Sequence, residues 1–254
     1  MTSSFAEALA VSSGQLELSV VVPAKDEAEN LPILLDEIRD ALEGRAFEVL
    51  VIDDGSSDGT DKVLQDYAAA NAWLRPFRHA RSCGQSCAVR TGVVNARGDV
   101  VATIDGDGEN NPAYIPGLVD ALKAGGPSVA LAAGQRLGRK ASLAKRLASK
   151  FANKLRGAIL KDNTRDSGCG LKALRREVFL MLPYFDGWHR FLPALVIREG
   201  FGVAHVDVLD RQRRHGQSKY GIFDRALVGF LDLFGVWWLR RRRKTLPQVS
   251  ALSD

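Results

Sequence analysis

The 254-residue chain holds only three cysteines, Cys83, Cys87 and Cys169. They are odd in number and lack the spacing of a disulfide framework, so a fold stapled by disulfides is not expected and reduced thiols are. Cys83 and Cys87 can meet on one helix face, but no second ligand pair completes a four-ligand zinc site, and they read as small packing residues. Met1 to Gly14 lacks a basic stretch followed by a long apolar core, so no signal peptide is expected there. No internal repeat or low-complexity linker interrupts the chain, and no recognised nucleic-acid motif or base-stacking aromatic set accompanies its cations. Long apolar runs are missing too. Between Ile222 and Leu239 the longest charge-free stretch is Leu233 to Leu239, well short of the ~20 residues a spanning helix needs.

Acid is absent from residues 121–161, which carry ten cations. That gap belongs to a wider asymmetry. Residues 1–120 have 9 Lys/Arg against 20 Asp/Glu, net −11, and residues 121–254 have 26 against 10, net +16. A basic half of this kind implies a polyanionic partner: nucleic acid, an anionic membrane surface or a phosphorylated substrate. The acidic first half would repel a nucleic acid, so none is expected.

What is present is a globular composition, 46% hydrophobic and 26% charged, in a length that suits one large α/β domain. The first half alternates strand and helix signals, the pattern of a parallel sheet with helices on both faces. Leu18 to Val22 is an apolar strand, followed by Leu31, Leu34, Leu35, Ile38 and Leu42 at helical spacing. Phe47 to Ile52 is a second strand, with Ser56-Ser57-Asp58 offering caps to a helix beginning near Gly59. A helix over Gln85 to Ala96 leads to a third strand, Val100 to Ile104, and Val203 to Leu209 is a later strand candidate. From Ser142 an amphipathic helix carries Leu143, Leu147, Phe151, Leu155 and Ile159 on one stripe.

Three strands thus end in polar loops on one sheet edge, where open α/β sheets hold ligands: Pro23 to Glu27, Asp53 to Asp58, and Asp105 to Glu109. In the last, Asp105-Gly106-Asp107-Gly108-Glu109 places carboxylates at alternate positions, able to turn toward one hard divalent cation. Asp and Gly also suit an ordinary acidic turn, and the pentapeptide alone reads either way.

Three segments, Ser19 to Glu27, Val51 to Thr60 and Asp105 to Pro112, resemble the successive signatures of the inverting family 2 glycosyltransferases of the GT-A fold. The likeness continues through Gly134-Gln135-Arg136, Ser149 to Asn153, Asp166 to Gly168 and Arg213 to Tyr220, which are similar to dolichyl-phosphate mannose synthases and their bacterial polyprenyl-phosphate relatives. It covers about residues 18–235. The resemblance implies a Rossmann-like, mostly parallel sheet over residues 18–221, flanked by tails at 1–17 and 245–254. It implies that Pro23, Glu27, Asp53 and Asp54 border the nucleotide, and that Asp105, Asp107 and Glu109 hold Mg²⁺ or Mn²⁺ on the donor diphosphate. Asp26 and Glu109 stand where that type usually has Asn and Gln; Glu109 keeps a hard oxygen ligand.

The same resemblance gives Arg136, Lys145, Arg146, Ser149, Arg213 and Lys219 to the acceptor phosphate, with Arg213 at the reaction centre beside Asp105 and Asp107. Guanidinium groups suit phosphate oxygens, and lysine supplies a point charge. A phosphate monoester with a second pKa near 6 is already largely dianionic at neutral pH, so attack needs positioning and not a general base. The implied reaction is transfer of a sugar, with mannose from GDP-mannose the first expectation and UDP-sugars the other, onto polyprenyl phosphate at the cytoplasmic membrane face. A hydroxyl acceptor is the alternative; it would require a base, and none is assignable after residue 170. His189 and Arg190 are candidates to line the sugar or phosphate pocket, with a packed or capping histidine equally open. Residues 222–244 read as an interfacial helix with the basic run Arg240 to Lys244, or as a helix packed on the core. A membrane partner protein is a further possibility.

Overall fold

The computed structural model describes residues 16–137, 156–211 and 222–244. The first four strands are β1 (Leu18–Ala24), β2 (Phe47–Asp53), β3 (Leu74–Arg78) and β4 (Val100–Thr103). Between them run α1 (Leu31–Ala41), α2 (Thr60–Ala70) and α3 (Gln85–Asn95). There follow α4 (Ile115–Ala124), β5 (Val129–Arg136), β6 (Lys172–Arg175), α5 (Arg176–Met181), α6 (Leu192–Arg198), β7 (Gly202–Val208) and α7 (Ile222–Arg242). Seven strands form one sheet in the order β3-β2-β1-β4-β6-β5-β7. β6 runs antiparallel to both neighbours, and every other pairing is parallel. The expected mostly parallel α/β architecture is therefore present.

Alternation along the strands divides the core into two layers. Val20 and Val22 of β1 pack with Leu31, Leu34, Leu35 and Ile38 of α1 and with Ile115, Leu118 and Leu122 of α4. Val21 faces the other way, onto Val89 and Val93 of α3, Phe179, Trp188 and Leu195. The spacing of the α1 leucines matches one helical face, which is why that helix was readable from sequence. At Gly92, α3 approaches β1 so closely that an added Cβ would lie 2.3 Å from Val21 Cγ1.

Some local expectations change. Gly59, in the left-handed region, stands at the cap of α2 without a side-chain hydrogen bond; the cap signal is carried by Asp58, whose carboxylate accepts the Thr60 N–H at 3.0 Å and the Ala28 N–H at 3.0 Å. Residues 156–160 are helical, and the rest of the amphipathic stretch from Ser142 lies outside the described residues. Helix α7 does not have a single apolar face. Leu233 and Val236 are buried against the core, whereas Leu231, Phe234 and Trp238 are 63%, 62% and 53% exposed. Arg198 Nε donates to the Leu239 carbonyl at 3.1 Å and ties the helix to α6.

Candidate active site

Parallel register brings the strand ends together. Ala24 of β1 lies opposite Asp53 of β2, and Val21 opposite Thr103 of β4. Beyond β4 the chain turns back over β1: a Cβ on Gly106 would stand 3.0 Å from the Pro23 carbonyl oxygen. The first two loops are also knitted to each other. Lys25 Nζ donates to the Gly55 carbonyl at 2.8 Å, Asp26 N–H to Ser56 Oγ at 2.8 Å, and Glu27 N–H to Thr60 Oγ1 at 3.1 Å. The Asp26 carboxylate accepts the Ser57 N–H at 2.8 Å. Glu27 accepts from Asn30 Nδ2 at 2.6 Å. The buried Asp53 accepts the Ser56 N–H at 2.8 Å and has Arg78 Nη1 3.4 Å away.

Asp54 has a different situation. Its buried carboxylate accepts from His79 Nδ1 at 2.7 Å, Ser82 Oγ at 2.7 Å, and the Cys83 and Gly84 N–H groups at 2.8 Å each. Burial raises its pKa, but those hydrogen bonds outweigh burial and hold it below the ordinary value. Asp54 therefore fastens the loop between β3 and α3.

The carboxylates after β4 crowd one another. Asp105 is pushed up to about 6, first by burial and then by Asp107 and Glu109, against the opposing influence of Lys172 and Arg136. Gln85 Nε2 donates to Asp105 Oδ1 at 2.7 Å, and Asp107 Oδ1 accepts the Glu109 N–H at 3.1 Å. Asp105, Asp107 and Glu109 offer hard oxygen donors of the kind that suits a divalent cation, and such an ion would offset the charge that raises Asp105. Gly170 packs against this group: a Cβ there would lie 2.4 Å from Asp105 Oδ2 and 2.7 Å from Asn110 Oδ1. The buried Lys172 on β6 donates to the Cys169 carbonyl, and its own pKa is lowered by burial.

Arg136 is held in ion pairs. It is not a free cation at the site: Nε and Nη2 pair with the two Asp166 oxygens at 2.5 and 2.9 Å, and Nη1 lies 3.3 Å from Asp210 Oδ2. Asp210 in turn accepts from Asn110 Nδ2 at 3.1 Å. Although burial opposes it, the Asp166 bond and charge raise the Arg136 pKa further. The residue braces the end of β5 against the loop before β6. The acceptor candidates Lys145, Arg146, Ser149, Arg213 and Lys219 lie outside the described residues.

His189 is brought to the same region. Its Nδ1 is 2.7 Å from Ser86 Oγ, which also accepts the Gly187 N–H at 2.9 Å. The imidazole tautomer sets which partner donates in this bond. Burial first, then Lys172 and Arg190, pulls the His189 pKa down to about 3. Sequence reading missed Gln85, Ser86, Asn110, Gly170, Lys172 and Asp210. Only Gln85, first in an expected helix, and Asp210, just past an expected strand at the ligand edge, carried a positional signal.

The sequence model for glycosyl transferase family 2 matches residues 19–181, from the start of β1 to the end of α5. The chain belongs to this family. It is 34% identical over 232 residues to a dodecaprenyl-phosphate galacturonate synthase of Rhizobium johnstonii, covering 89% of this chain and 68% of that protein. It is 34% identical over 208 residues to an undecaprenyl-phosphate 4-deoxy-4-formamido-L-arabinose transferase of Aeromonas hydrophila, covering 81% of this chain and 63% of that one. The chain thus spans about two thirds of these curated relatives. Glucosyl-3-phosphoglycerate synthase from Mycobacterium tuberculosis, solved with Mn²⁺, UDP and phosphoglyceric acid, shares the fold with a TM-score of 0.68 at 22% identity, over 91% of this chain and 80% of that one. The GT-A architecture implied by the motifs is the one observed. Neither of those two names includes mannose.

Proposed function

We propose that this glycosyl transferase family 2 member moves a sugar from a nucleoside diphosphate donor onto a polyprenyl phosphate. The observation that carries this reading is the convergence of Asp105, Asp107 and Glu109 with the Asp53 strand end on one sheet edge. In it, Pro23, Glu27 and Asp53 border the base and ribose, and Asp54 supports them from below. Asp105, Asp107 and Glu109 would hold the Mg²⁺ or Mn²⁺ ion, which when bound neutralises charge on the departing nucleoside diphosphate. UDP is the favoured nucleotide, because the solved neighbour binds it with Mn²⁺. A uronic acid or a modified pentose is the favoured sugar, from the names of the two relatives.

The acceptor phosphate is already largely dianionic at neutral pH and needs no base. A hydroxyl acceptor would need one. Lys145, Arg146, Ser149, Arg213 and Lys219 are the candidate phosphate contacts, with Arg213 the candidate to act in the transfer itself. Docking on the membrane without crossing it is supported by the exposed Leu231, Phe234 and Trp238, followed by Arg240 to Lys244. No helix among the described residues is long and apolar enough to cross a membrane.

The test is a panel of UDP- and GDP-sugars with polyprenyl phosphate in membranes, following release of nucleoside diphosphate with Mg²⁺, Mn²⁺ or excess chelator. Lipid-dependent UDP release that chelator abolishes is expected. Full transfer in chelator, or transfer only to a hydroxyl acceptor, would overturn the assignment.

A further inference from the structure

A second set of potential ligands, chemically unlike the carboxylates, lies where β3 leads into α3. A ring nitrogen of His79 and the thiol sulfurs of Cys83 and Cys87 all fall within 4.8 Å of one another. In sequence they are spaced by four residues each. The two cysteines alone lack a partner; folding supplies it, because His79 follows directly after β3 and the loop returns to the first turn of α3. All three cysteines are free thiols.

The surroundings of His79 match those of a ligating histidine. Its Nδ1 faces Asp54 Oδ1 at 2.7 Å, and that carboxylate also pins Ser82 and the backbone of Cys83 and Gly84. A carboxylate accepts, so Nδ1 carries the proton and the lone pair lies on Nε2. A carboxylate behind a histidine in this way fixes the tautomer and raises the basicity of the other nitrogen in metal sites. The lone pair is held by the Thr91 hydroxyl at 2.9 Å, a weak donor that an ion can displace. Thr91 stands one turn beyond Cys87 on α3.

We propose that His79 Nε2, Cys83 Sγ and Cys87 Sγ bind one soft divalent transition-metal ion of the Zn²⁺ class, with Asp54 as the histidine's carboxylate partner. Thiolate and imidazole select such ions over Mg²⁺, which keeps to oxygen. On binding, two S–H bonds are lost, two protons pass to solvent, and two metal–sulfur bonds form with one metal–nitrogen bond; water takes the fourth tetrahedral position. The ion would join the β3–α3 loop to the first turn of α3.

The experiment is titration of the reduced, full-length protein with Co²⁺ in excess Mg²⁺, read by absorbance and independent of transferase activity. One equivalent should give thiolate-to-cobalt charge transfer with tetrahedral d–d bands, and Zn²⁺ should displace it. Cys169 is buried, so the signal reports Cys83 and Cys87. Cys83→Ser, at an exposed position, should abolish the charge transfer while circular dichroism stays unchanged, and Asp54→Asn should weaken binding about 10- to 100-fold. Absence of the charge-transfer band in the folded, reduced protein, or its persistence in Cys83→Ser, would overturn the proposal.

Discussion

Gln85, the first residue of α3, donates from Nε2 to Asp105 Oδ1 at 2.7 Å. The amide fixes the carboxylate's rotamer from outside its own loop, and it does so through a helix that is itself anchored by Gly92 against β1. Gln85→Ala should therefore raise the metal concentration needed for half-maximal transfer by about 10- to 100-fold. Asp107→Ala should remove nearly all transfer at any metal concentration, since it deletes a ligand and not its support. Activity titrations with Mn²⁺ distinguish the two; identical curves for both variants would contradict the assigned roles.

Gly170→Ala is expected to damage the site with little loss of fold. The new methyl would meet Asp105 Oδ2 at 2.4 Å and Asn110 Oδ1 at 2.7 Å, both side-chain atoms able to swing away. The displaced carboxylate would no longer converge with Asp107. Transfer should fall steeply while the thermal midpoint moves by only a few degrees, and unchanged kcat/KM would count against the placement of Asp105 at the reaction centre.

Arg136→Ala should act on stability first. It strands Asp166 and Asp210 around a side chain that is 8% exposed, and breaking a buried pair by removing one partner costs about 3–5 kcal/mol. The urea midpoint measures this. Arg136→Lys keeps the charge but not the bidentate bond, and should recover part of the loss. A variant with full stability and impaired use of the lipid alone would return Arg136 to the role of phosphate contact.

His189 sets a pH dependence with a definite sign. Its folded pKa is lowered to about 3 from 6.5, so below about 6.5 the unfolded chain takes up a proton that the folded chain refuses. The stability tied to the neutral ring is complete above that value and is lost as pH falls toward 3. His189→Gln should shrink the drop in urea midpoint between pH 7 and pH 5, and the imidazole C2 proton resonance in the wild type should not titrate between pH 5 and pH 8.

Membrane docking should depend on the outward side of α7. Phe234→Ser with Trp238→Ser should reduce pelleting with anionic vesicles severalfold and leave the melting temperature nearly unchanged, because both residues are more than half exposed. Equal pelleting by the double variant would point away from this helix.

The parts of the fold built from local pattern were legible in the sequence. β1, β2 and β4 announce themselves as β-branched runs, and α1 by its leucine spacing. Asp53, Asp105 and Asp107 could be placed because they close such runs. What escaped depends on residues distant in sequence. Arg136 lay in a stretch without acids and read as an available cation, yet its partners are Asp166 and Asp210, 30 and 74 residues on. Arg156 likewise pairs with the buried Asp162 at 2.5 Å, just past the acid-free stretch. Counting charge along a chain cannot reveal pairing made through space. Asp54 was placed correctly at the edge, but its four partners come from a loop about 25–30 residues away.

The reversed strand β6 has a consequence for the order in which the protein can be made. Strands β1 to β4 pair among themselves and need only the first hundred or so residues. Thr103, however, pairs with Lys172, and the Thr103 hydroxyl donates to the Gly170 carbonyl at 2.7 Å. Closing a loop that long costs entropy before any contact rewards it. The edge made by β1 to β4 is complete in sequence before β6 is reached, and the pairing beside Thr103 waits for β6. A chain ending before β6 would therefore carry its acidic loops without the Gly170 backbone that borders Asp105.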